Sequence, residues 1–444
     1  MVPDERREPA RPPLRDLARR IRRREVSALE VAERALARIA GLEGQLHAWA
    51  TVDPEQVRRG ARQLDREIVR APRGPLHGVP IGVKDLFGTK HLPTAMGSPL
   101  FAGHLPASDA AAVARLRAAG AVILGKTVTT QFGTLDPGPT RNPWNPDHTP
   151  GGSSSGSAAA VASGMCPAAT GTQTAGSLGR PAAYCGIVGI LPTQSRISLD
   201  GVFPVAWSLD HAGVLARSLD DASIVLGAMC GEPMPLTDAA ARPKLGIVRG
   251  FFRQETDPGA WARHQEFIAE LLEAGIDLVD LSLPPVFDAA LPALRTIMRA
   301  ELAAVHEHLY PPNPDAYAPA IRGLVESGLL LDATDYLRAR RIRRIYQREM
   351  RQLFASCDVI LSPGATGAAP AGLASTGKPL LQAPWTLADF PTVSLPLTLG
   401  SEGLPLGIQL TGPPLGEPAL LEAARWVERF IGFDARPPLG TGND

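Results

Sequence analysis

The sequence has little lysine, little cysteine and few aromatic residues, and it carries no net charge. Its 444 residues include 45 basic and 45 acidic side chains, so the formal net charge is zero. A neutral chain has no strong electrostatic preference for nucleic acid. No stretch of 18 uncharged apolar residues occurs, which argues against a membrane-spanning helix. The composition therefore predicts a protein that binds neither nucleic acid nor membranes.

The four cysteines are far apart and form no C-x-x-C pair, which suits neither a disulfide framework nor a zinc site. They are Cys166, Cys185, Cys230 and Cys357. We expect buried free thiols and no metal or other cofactor. Residues 1–13 are charged and proline-rich, without the apolar segment of a signal peptide. This start predicts a loose tail on a cytoplasmic protein.

Apolar periodicity predicts an α/β fold. An apolar stripe begins at Leu14, and Ser27 to Glu30 form a capping box that opens a second helix. Between 75 and 235, short apolar runs such as VPIGVK and AVILGK alternate with helical stretches of small residues. The same alternation resumes after 244. This pattern is typical of a sheet core covered by helices.

The rest of the chain offers no clear point of division. We find no internal repeat and no linker long enough to force a second domain, so residues 1–444 are predicted to form a single domain. Residues 283–335 are proline-rich and partly helical, and could cover a site. Arginines cluster at 19–24 and 338–351 at helical spacing. Because the chain is neutral overall, both clusters are interpreted as solvated helix faces.

The segment from Thr149 to Ser177 is dense in glycine and serine at both ends and holds the small-residue helix SAAAVASG between them. A flexible linker would not contain such a packable helix. Glycine-rich turns let backbone N–H groups approach a ligand, so two of them together could form an anion or oxyanion pocket. No G-K-[ST] follows, which excludes a phosphate-binding P-loop.

Gly152 to Gly156 also fits G-x-S-x-G, the nucleophile elbow of α/β-hydrolases, with Ser154 at its centre. That elbow needs an acid and then a histidine downstream, and no histidine follows His308. Three histidines between Ser154 and His308 are candidates but lack a recognisable site context: His211, His264 and His306. A Ser-His-Asp triad is therefore the weaker interpretation.

A serine without histidine needs another base, and a lysine can serve if burial keeps it neutral. The chain has five lysines: Lys84, Lys90, Lys126, Lys244 and Lys378. Lys84 ends the strand-like run GVPIGVK, so burial is expected for it more than for Lys90 or Lys378. Lys126, in VILGKT, has a similar setting. Spacing alone does not choose between Lys84 and Lys126.

Several ordered segments resemble the amidase signature family of serine hydrolases. PLHGVPIGVKDLFGTKHLPTAMGS (75–98) is similar to the family's lysine segment, NPWNPDHTPGGSSSGSAAAVASG (142–164) to its glycine-serine segment, and GTQTAGSLGRPAAYCGIVGILPT (171–193) to its nucleophile segment. SLDHAGVLARSLDDA (208–222) and LPLGIQLTG (404–412) match further blocks. The resemblance covers most of the chain, marks 75–235 as the signature core, and implies a twisted mixed β-sheet with helices on both faces.

The resemblance implies a Ser-Ser-Lys triad. Lys84 matches the catalytic lysine, Ser153 the bridging serine, which typically follows a cis peptide, and Ser177 the nucleophile. Neutral Lys84 would draw a proton through Ser153 while Ser177 attacks the carbonyl carbon. An acyl-enzyme would form and then be hydrolysed through the same relay. The N–H groups of four consecutive residues would hold the oxyanion: Thr174, Ala175, Gly176 and Ser177.

The chain departs from the family's frequent G-T-D-x-G-G-S-I-R. It has Gln173 for the aspartate, Ala175 for a glycine and Gly179 for the arginine. Losing an acid and a base together suggests that neutral groups replace an ion pair beside the nucleophile, with Arg180 as a possible compensation. The oxyanion pocket is expected to survive, because alanine also has an N–H group.

The implied substrate is a small-molecule amide or carbamate, cleaved by a monomer or homodimer. Met96, Trp385 and Phe390 are the candidate substrate-binding residues, although Trp385 and Phe390 could equally be core residues. Neutral, hydrophobic aryl amides lead, carbamates come second, and esters are a side activity. One alternative is the glutaminase subunit of a tRNA-dependent amidotransferase. Another is a non-catalytic relative that uses the scaffold for assembly.

Overall fold

A computed structural model describes residues 13–236 and 242–439, so the predicted tail lies outside the described residues except for Pro13. The first helix buries the predicted stripe of Leu14, Leu17, Ala18 and Ile21. The capping box at Ser27 and Glu30 is also confirmed: each side chain accepts from the other residue's backbone N–H group. The starts of both helices are therefore predicted correctly by local sequence.

The strands form one sheet of eleven members. They are β1 (Trp49–Val52), β2 (Pro80–Lys84), β3 (Val122–Thr127), β4 (Ala168–Gln173), β5 (Val188–Leu191), β6 (His211–Ala216), β7 (Leu245–Val248), β8 (Leu278–Leu281), β9 (Val359–Pro363), β10 (Thr392–Leu399) and β11 (Pro405–Thr411). Their order is β1-β3-β2-β4-β6-β5-β10-β11-β9-β7-β8. β2 is parallel to β3 and β4, and β7 is parallel to β8 and β9, whereas the remaining pairs are antiparallel. The sheet is therefore mixed, as predicted.

Fourteen α-helices lie in the described residues: α1 (Leu14–Arg22), α2 (Ala28–Leu46), α3 (Pro54–Glu67), α4 (Ala111–Ala118), α5 (Ser155–Ala162), α6 (Gly179–Cys185), α7 (Leu219–Cys230), α8 (Phe251–Gln254), α9 (Pro258–Glu273), α10 (Ala290–His306), α11 (Pro319–Leu329), α12 (Ala333–Arg351), α13 (Ala383–Ala388) and α14 (Glu417–Ile431). They cover both faces of the sheet. Val214 and Leu215 are successive residues of β6, yet they belong to different hydrophobic clusters, because successive side chains of a strand point to opposite faces.

The segment 283–335 is more helical than its prolines suggested, since α10 and α11 occupy much of it. Leu302 and Ile321 from this segment pack in one cluster with Leu86, Met96 and Phe132. The segment therefore lies against the end of β2, beside the candidate lysine.

The interpretation of 338–351 as a solvated face is wrong at one position. Arg343 of α12 is buried, and its guanidinium donates to the carbonyl oxygens of Leu387 (3.1 Å) and Ser208 (2.6 Å). Helical spacing alone could not reveal this, because both acceptors are remote in sequence. In the parts of the chain that the structure describes, no helix is both long and apolar enough to cross a membrane.

Candidate active site

Lys84 is the last residue of β2, and its side chain is fully buried. Its Nζ lies 2.8 Å from Ser153 Oγ, 3.0 Å from Ser154 Oγ and 2.7 Å from Thr172 Oγ1. The neighbouring loop and strand β4 thus surround the amine with hydroxyl groups, which can hydrogen-bond to either form of it. A neutral amine is well accommodated here.

Burial holds the pKa of Lys84 well below its usual range, because desolvation disfavours the ammonium form. The negative charge of Asp210 opposes this effect. Asp210 is itself engaged: it accepts hydrogen bonds from the hydroxyl of Thr174 and from the N–H groups of Val205 and Ala206. Burial raises the pKa of Asp210 to about 6. The lysine is therefore influenced by a carboxylate at a distance and directly contacted by hydroxyl groups.

Lys126 has a different surrounding. Its Nζ lies 3.2 Å from Asp85 Oδ1 and also donates to the carbonyl oxygen of Phe87 (2.7 Å) and to Thr94 Oγ1 (2.6 Å). Asp85 thus points away from Lys84, as alternation along a strand predicts. The structure makes Lys126 the partner of a buried carboxylate.

The peptide bond between Gly152 and Ser153 is cis, as the resemblance implied. The N–H group of Ser154 donates to the carbonyl oxygen of Ser177 at 3.1 Å. This bond joins the glycine-serine loop to the turn that follows β4. The segments that carry Lys84, Ser153 and Ser177 are therefore brought together.

Ser177 lies in the turn between β4 and α6 and is half-buried. Within residues 13–236 and 242–439, the N–H groups of Thr174, Ala175, Gly176 and Ser177 donate to no protein acceptor. Consecutive free N–H groups in a turn can converge on an anion. The turn therefore retains donors that could hold an oxyanion.

Gln173, the residue that stands where the family often has an aspartate, makes uncharged hydrogen bonds. Gln173 Oε1 accepts from the N–H groups of Leu178 (3.1 Å) and Gly179 (3.0 Å), and its Nε2 donates to Thr386 Oγ1 (3.0 Å). An amide thus ties the start of α6 to α13 without charge.

Arg180 is buried and donates to the carbonyl oxygens of Gly152 (2.5 Å) and Gly377 (2.7 Å) and to Thr376 Oγ1 (3.1 Å). Burial lowers the pKa of Arg180 to about 10. Its guanidinium links α6 to the cis peptide and to the loop before α13. Arg180 therefore connects the loops around Ser177, and its compensating role stays a prediction.

The structure places the three candidate substrate-binding residues in two different hydrophobic clusters. Trp385 and Phe390 are 0% exposed and belong to one hydrophobic cluster, in which Trp385 stacks on Phe252 at 5.4 Å between ring centroids. Ala175 packs against the edge of that cluster. Trp385 and Phe390 therefore act as core residues behind the turn. Met96 belongs to a different cluster, which includes Leu86 and Val205.

The alternative serine and histidine candidates have other contacts. Ser154 is fully buried and directs its hydroxyl to the carbonyl oxygen of Thr172 (3.3 Å), so it is not the exposed nucleophile of an elbow. His211 contacts Leu209 O and Asp389, and His306 contacts the hydroxyl of Tyr317. Among the described residues, no group of three or more His, Cys, Asp or Glu side chains is placed to hold a metal ion.

Sequence reasoning missed two polar neighbours of the site, Thr172 and Asp210. Thr172 is two residues beyond Thr170, whose hydroxyl accepts the N–H group of Lys84, and alternation along β4 puts both on one face. That spacing was available in the sequence. Asp210 approaches through the pairing of β4 with β6, which local spacing does not reveal.

The chain is similar to known proteins in sequence and in fold. The Amidase family model matches residues 30–421. The chain is 35% identical to a glutamyl-tRNA(Gln) amidotransferase subunit of Anaeromyxobacter dehalogenans, over 96% of this chain and 97% of that one. It is also 35% identical to an amidase of Pseudomonas putida, over 97% and 98% of the two chains. The structure of the peptide amidase from Stenotrophomonas maltophilia superposes with a TM-score of 0.84 at 27% identity, over 96% and 98% of the chains.

A family match over most of the chain defines its class. The chain belongs to the amidase signature family of hydrolases, which act on amides.

Proposed function

We propose that the protein hydrolyses C–N bonds of neutral, hydrophobic small-molecule amides, aryl amides first and carbamates second, by a Ser-Ser-Lys mechanism. The observation that carries this proposal is the fully buried Lys84 amine, contacted by the hydroxyl groups of Ser153, Ser154 and Thr172. A lysine in such a place is neutral at lower pH than a free one and can accept a proton.

The hydrogen bonds around the amine support one direction for the relay. A neutral amine has two N–H donors and one lone pair. Because the Ser154 hydroxyl is directed to the carbonyl oxygen of Thr172, Ser154 accepts from the amine. The second N–H group of the amine donates to Thr172 Oγ1 at 2.7 Å, which leaves the lone pair for the hydroxyl of Ser153. Ser153 would pass its proton to Lys84 while taking the proton of Ser177.

Ser177 would then attack the carbonyl carbon, and the free N–H groups of 174–177 would stabilise the negative oxygen. Proton return through Ser153 would release the amine and leave an acyl-enzyme. Water would attack this intermediate through the same relay and regenerate Ser177. A carbamate would follow the same steps, because its carbonyl carbon carries one further oxygen but reacts in the same way.

The preference for neutral, hydrophobic substrates is supported by what flanks the relay. A Cβ placed on Gly133 would lie 3.8 Å from Ser153 Oγ, 2.8 Å from Leu86 Cδ1 and 3.2 Å from Val205 Cγ2. Apolar side chains therefore approach Ser153, and a second apolar cluster packs against Ala175 of the turn. The nearby charges of Asp210 and Arg180 are already engaged by protein groups.

The test is hydrolysis of matched aryl amide and aryl carbamate substrates by the purified chain, with Ser177→Ala as the inactive variant and Ser155→Ala as a control in the same serine-rich region. We expect turnover by the wild type and the control, loss in Ser177→Ala, and labelling of Ser177 by a serine-directed covalent probe. Turnover that survives Ser177→Ala, or a failure to label Ser177 in folded protein, would refute the mechanism.

A second candidate function is the glutaminase subunit of a tRNA-dependent amidotransferase, favoured by the 35% identity to such a subunit. This function would need partner chains, whereas the first needs only a monomer or homodimer. Inertness of the wild type toward both aryl substrates, together with glutaminase activity once the partner chains are added, would favour the second candidate.

A further inference from the structure

A row of polar side chains lies on the face of the sheet that supports α6. Ser394 of β10 pairs with Gln409 of β11, and Gln409 pairs with Ser362 of β9. Directly paired residues of neighbouring strands point to the same face, so the three side chains stand side by side. Each is at most 1% exposed. A buried face of a sheet usually carries apolar residues, so a row of polar side chains on this face requires an explanation.

The row has polar atoms without partners in the described residues. Ser362 Oγ, Ser394 Oγ and both amide atoms of Gln409 form no hydrogen bond there. Two fully buried neighbours, Gln382 Oε1 and Thr411 Oγ1, share this condition. Six polar atoms buried without partners would cancel most of the stability of a folded domain. Something small and polar must therefore satisfy them.

This row lies directly beneath the turn that carries Ser177. A Cβ on Gly179, the first residue of α6, would lie 3.0 Å from Ser394 Oγ and 3.4 Å from Gln409 Oε1. A Cβ on Gly176 would lie 3.2 Å from Gln382 Oε1. Gly176 and Gly179 flank the nucleophile on either side. The polar atoms without partners therefore extend from the sheet to the turn 174–177, whose N–H groups are the proposed oxyanion donors.

We propose that Ser362, Gln382, Ser394 and Gln409 form an internal water-binding site beneath α6, and that its waters hold the turn 174–177 in the conformation needed for catalysis. The second part rests on the function proposed above. Hydroxyl and amide groups offer both donors and acceptors without charge, which matches water rather than an ion. Buried waters typically make about three hydrogen bonds to such groups.

The first test is a high-resolution crystal structure of the wild-type protein. We expect ordered waters within hydrogen-bond distance of Ser394 and Gln409. Direct hydrogen bonds among these side chains, with no water between them, would overturn the proposal. This test does not depend on activity, so it remains decisive even if the proposed amide hydrolysis fails.

The second test separates positioning from simple burial by substituting Gln409→Leu and Ser394→Ala. If waters hold the turn, kcat should fall about tenfold in each variant while KM stays constant, because misplacement of catalytic groups slows the chemical step. Ser223→Ala, which removes a buried hydroxyl of α7 bonded to Asp220 O, is the matched control and should keep the wild-type kcat. Variants that are more stable than wild type and keep its kcat would show that the atoms merely lacked partners, and would overturn the positioning role.

Discussion

Two lysines are fully buried on neighbouring parallel strands of one sheet, and their partners differ. Lys84 pairs with Thr127, whereas Lys126 pairs with Val83, so the two side chains point to opposite faces. Lys84 contacts three hydroxyl groups, and Lys126 contacts a carboxylate, a carbonyl oxygen and a hydroxyl. The same residue type at the same depth is thus placed in two chemical environments.

Burial alone therefore does not define a catalytic lysine. Desolvation lowers the pKa of both amines. At Lys126 it lowers the pKa to about 8, although the negative charge of Asp85 opposes the shift. Lys84 has no such contact, and its pKa lies well below the usual 10.5. A carboxylate partner favours the charged form of a buried lysine, whereas hydroxyl partners can also hydrogen-bond to the neutral form that a general base requires.

The largest effect should come from Lys84→Met. Removing the proposed base should lower kcat/KM about 10⁴-fold while the protein stays folded, since a catalytic group is lost and the side-chain volume is kept. Steady-state kinetics and circular dichroism measure the two properties. Lys90→Met, at an exposed position, is the control and should retain full activity. Wild-type kinetics in Lys84→Met would end the distinction between the two lysines.

Lys126→Met should act on stability instead. It leaves the buried carboxyl of Asp85 without its cation, which costs about 3–5 kcal/mol of unfolding free energy. Urea denaturation measures this loss, and adding Asp85→Asn should restore much of it. If Lys126→Met unfolds at the wild-type urea concentration, the ion pair is not structural.

Thr172→Asp should make the surroundings of Lys84 like those of Lys126. A carboxylate beside the amine should raise its pKa by about 1–3 units. Because Lys84 must be neutral to act as a base, activity rises as pH increases through its pKa. The rising limb of the pH profile should therefore move to higher pH by the same amount. Thr172→Asn, which adds no charge, should leave that limb in place; equal shifts in both variants would contradict the electrostatic explanation.

The smallest effect is expected from removing one hydroxyl partner of each lysine. Ser154→Ala should lower kcat/KM by about tenfold, because one hydrogen bond that orients the Lys84 amine is lost. Thr94→Val removes the corresponding partner of Lys126 and should leave kcat/KM unchanged. Equal kinetic losses in the two variants would show that neither lysine is special to the reaction.

Local sequence predicted the strands that carry both lysines, and alternation along β2 explains why Asp85 turns away from Lys84. It could not choose between Lys84 and Lys126, because both end short apolar runs. The two lysines are distinguished by partners from elsewhere in the chain: Ser153 and Thr172 are 69 and 88 residues from Lys84. Such contacts depend on strand order, which apolar periodicity does not encode.

The sequence left open the roles of the two aromatic candidates for substrate binding. Trp385 and Phe390 stand out in sequence as bulky residues near a family segment, but size does not reveal whether an aromatic ring faces a ligand or the core. In the structure, the ring of Phe252 stacks on Trp385. The ring of Phe354 packs against Phe390, with 5.2 Å between the ring centroids. Both contacts come from elements remote in sequence. Only tertiary packing could therefore distinguish the two interpretations.

The order of the sheet also has a consequence for biosynthesis. Strands β1 to β6 form one contiguous half of the sheet and β7 to β11 the other, and within the described residues the two halves pair only between β5 and β10. Lys84 ends β2, and Ser153 and Ser177 lie in connections between strands of the first half. The polar row beneath α6 comes from β9, β10 and β11. The groups proposed for the chemistry therefore leave the ribosome some two hundred residues before the seam can close, a separation that slows the search for native contacts. A nascent chain would therefore contain Ser177, the proposed nucleophile, well before the strands that carry the polar row beneath its turn.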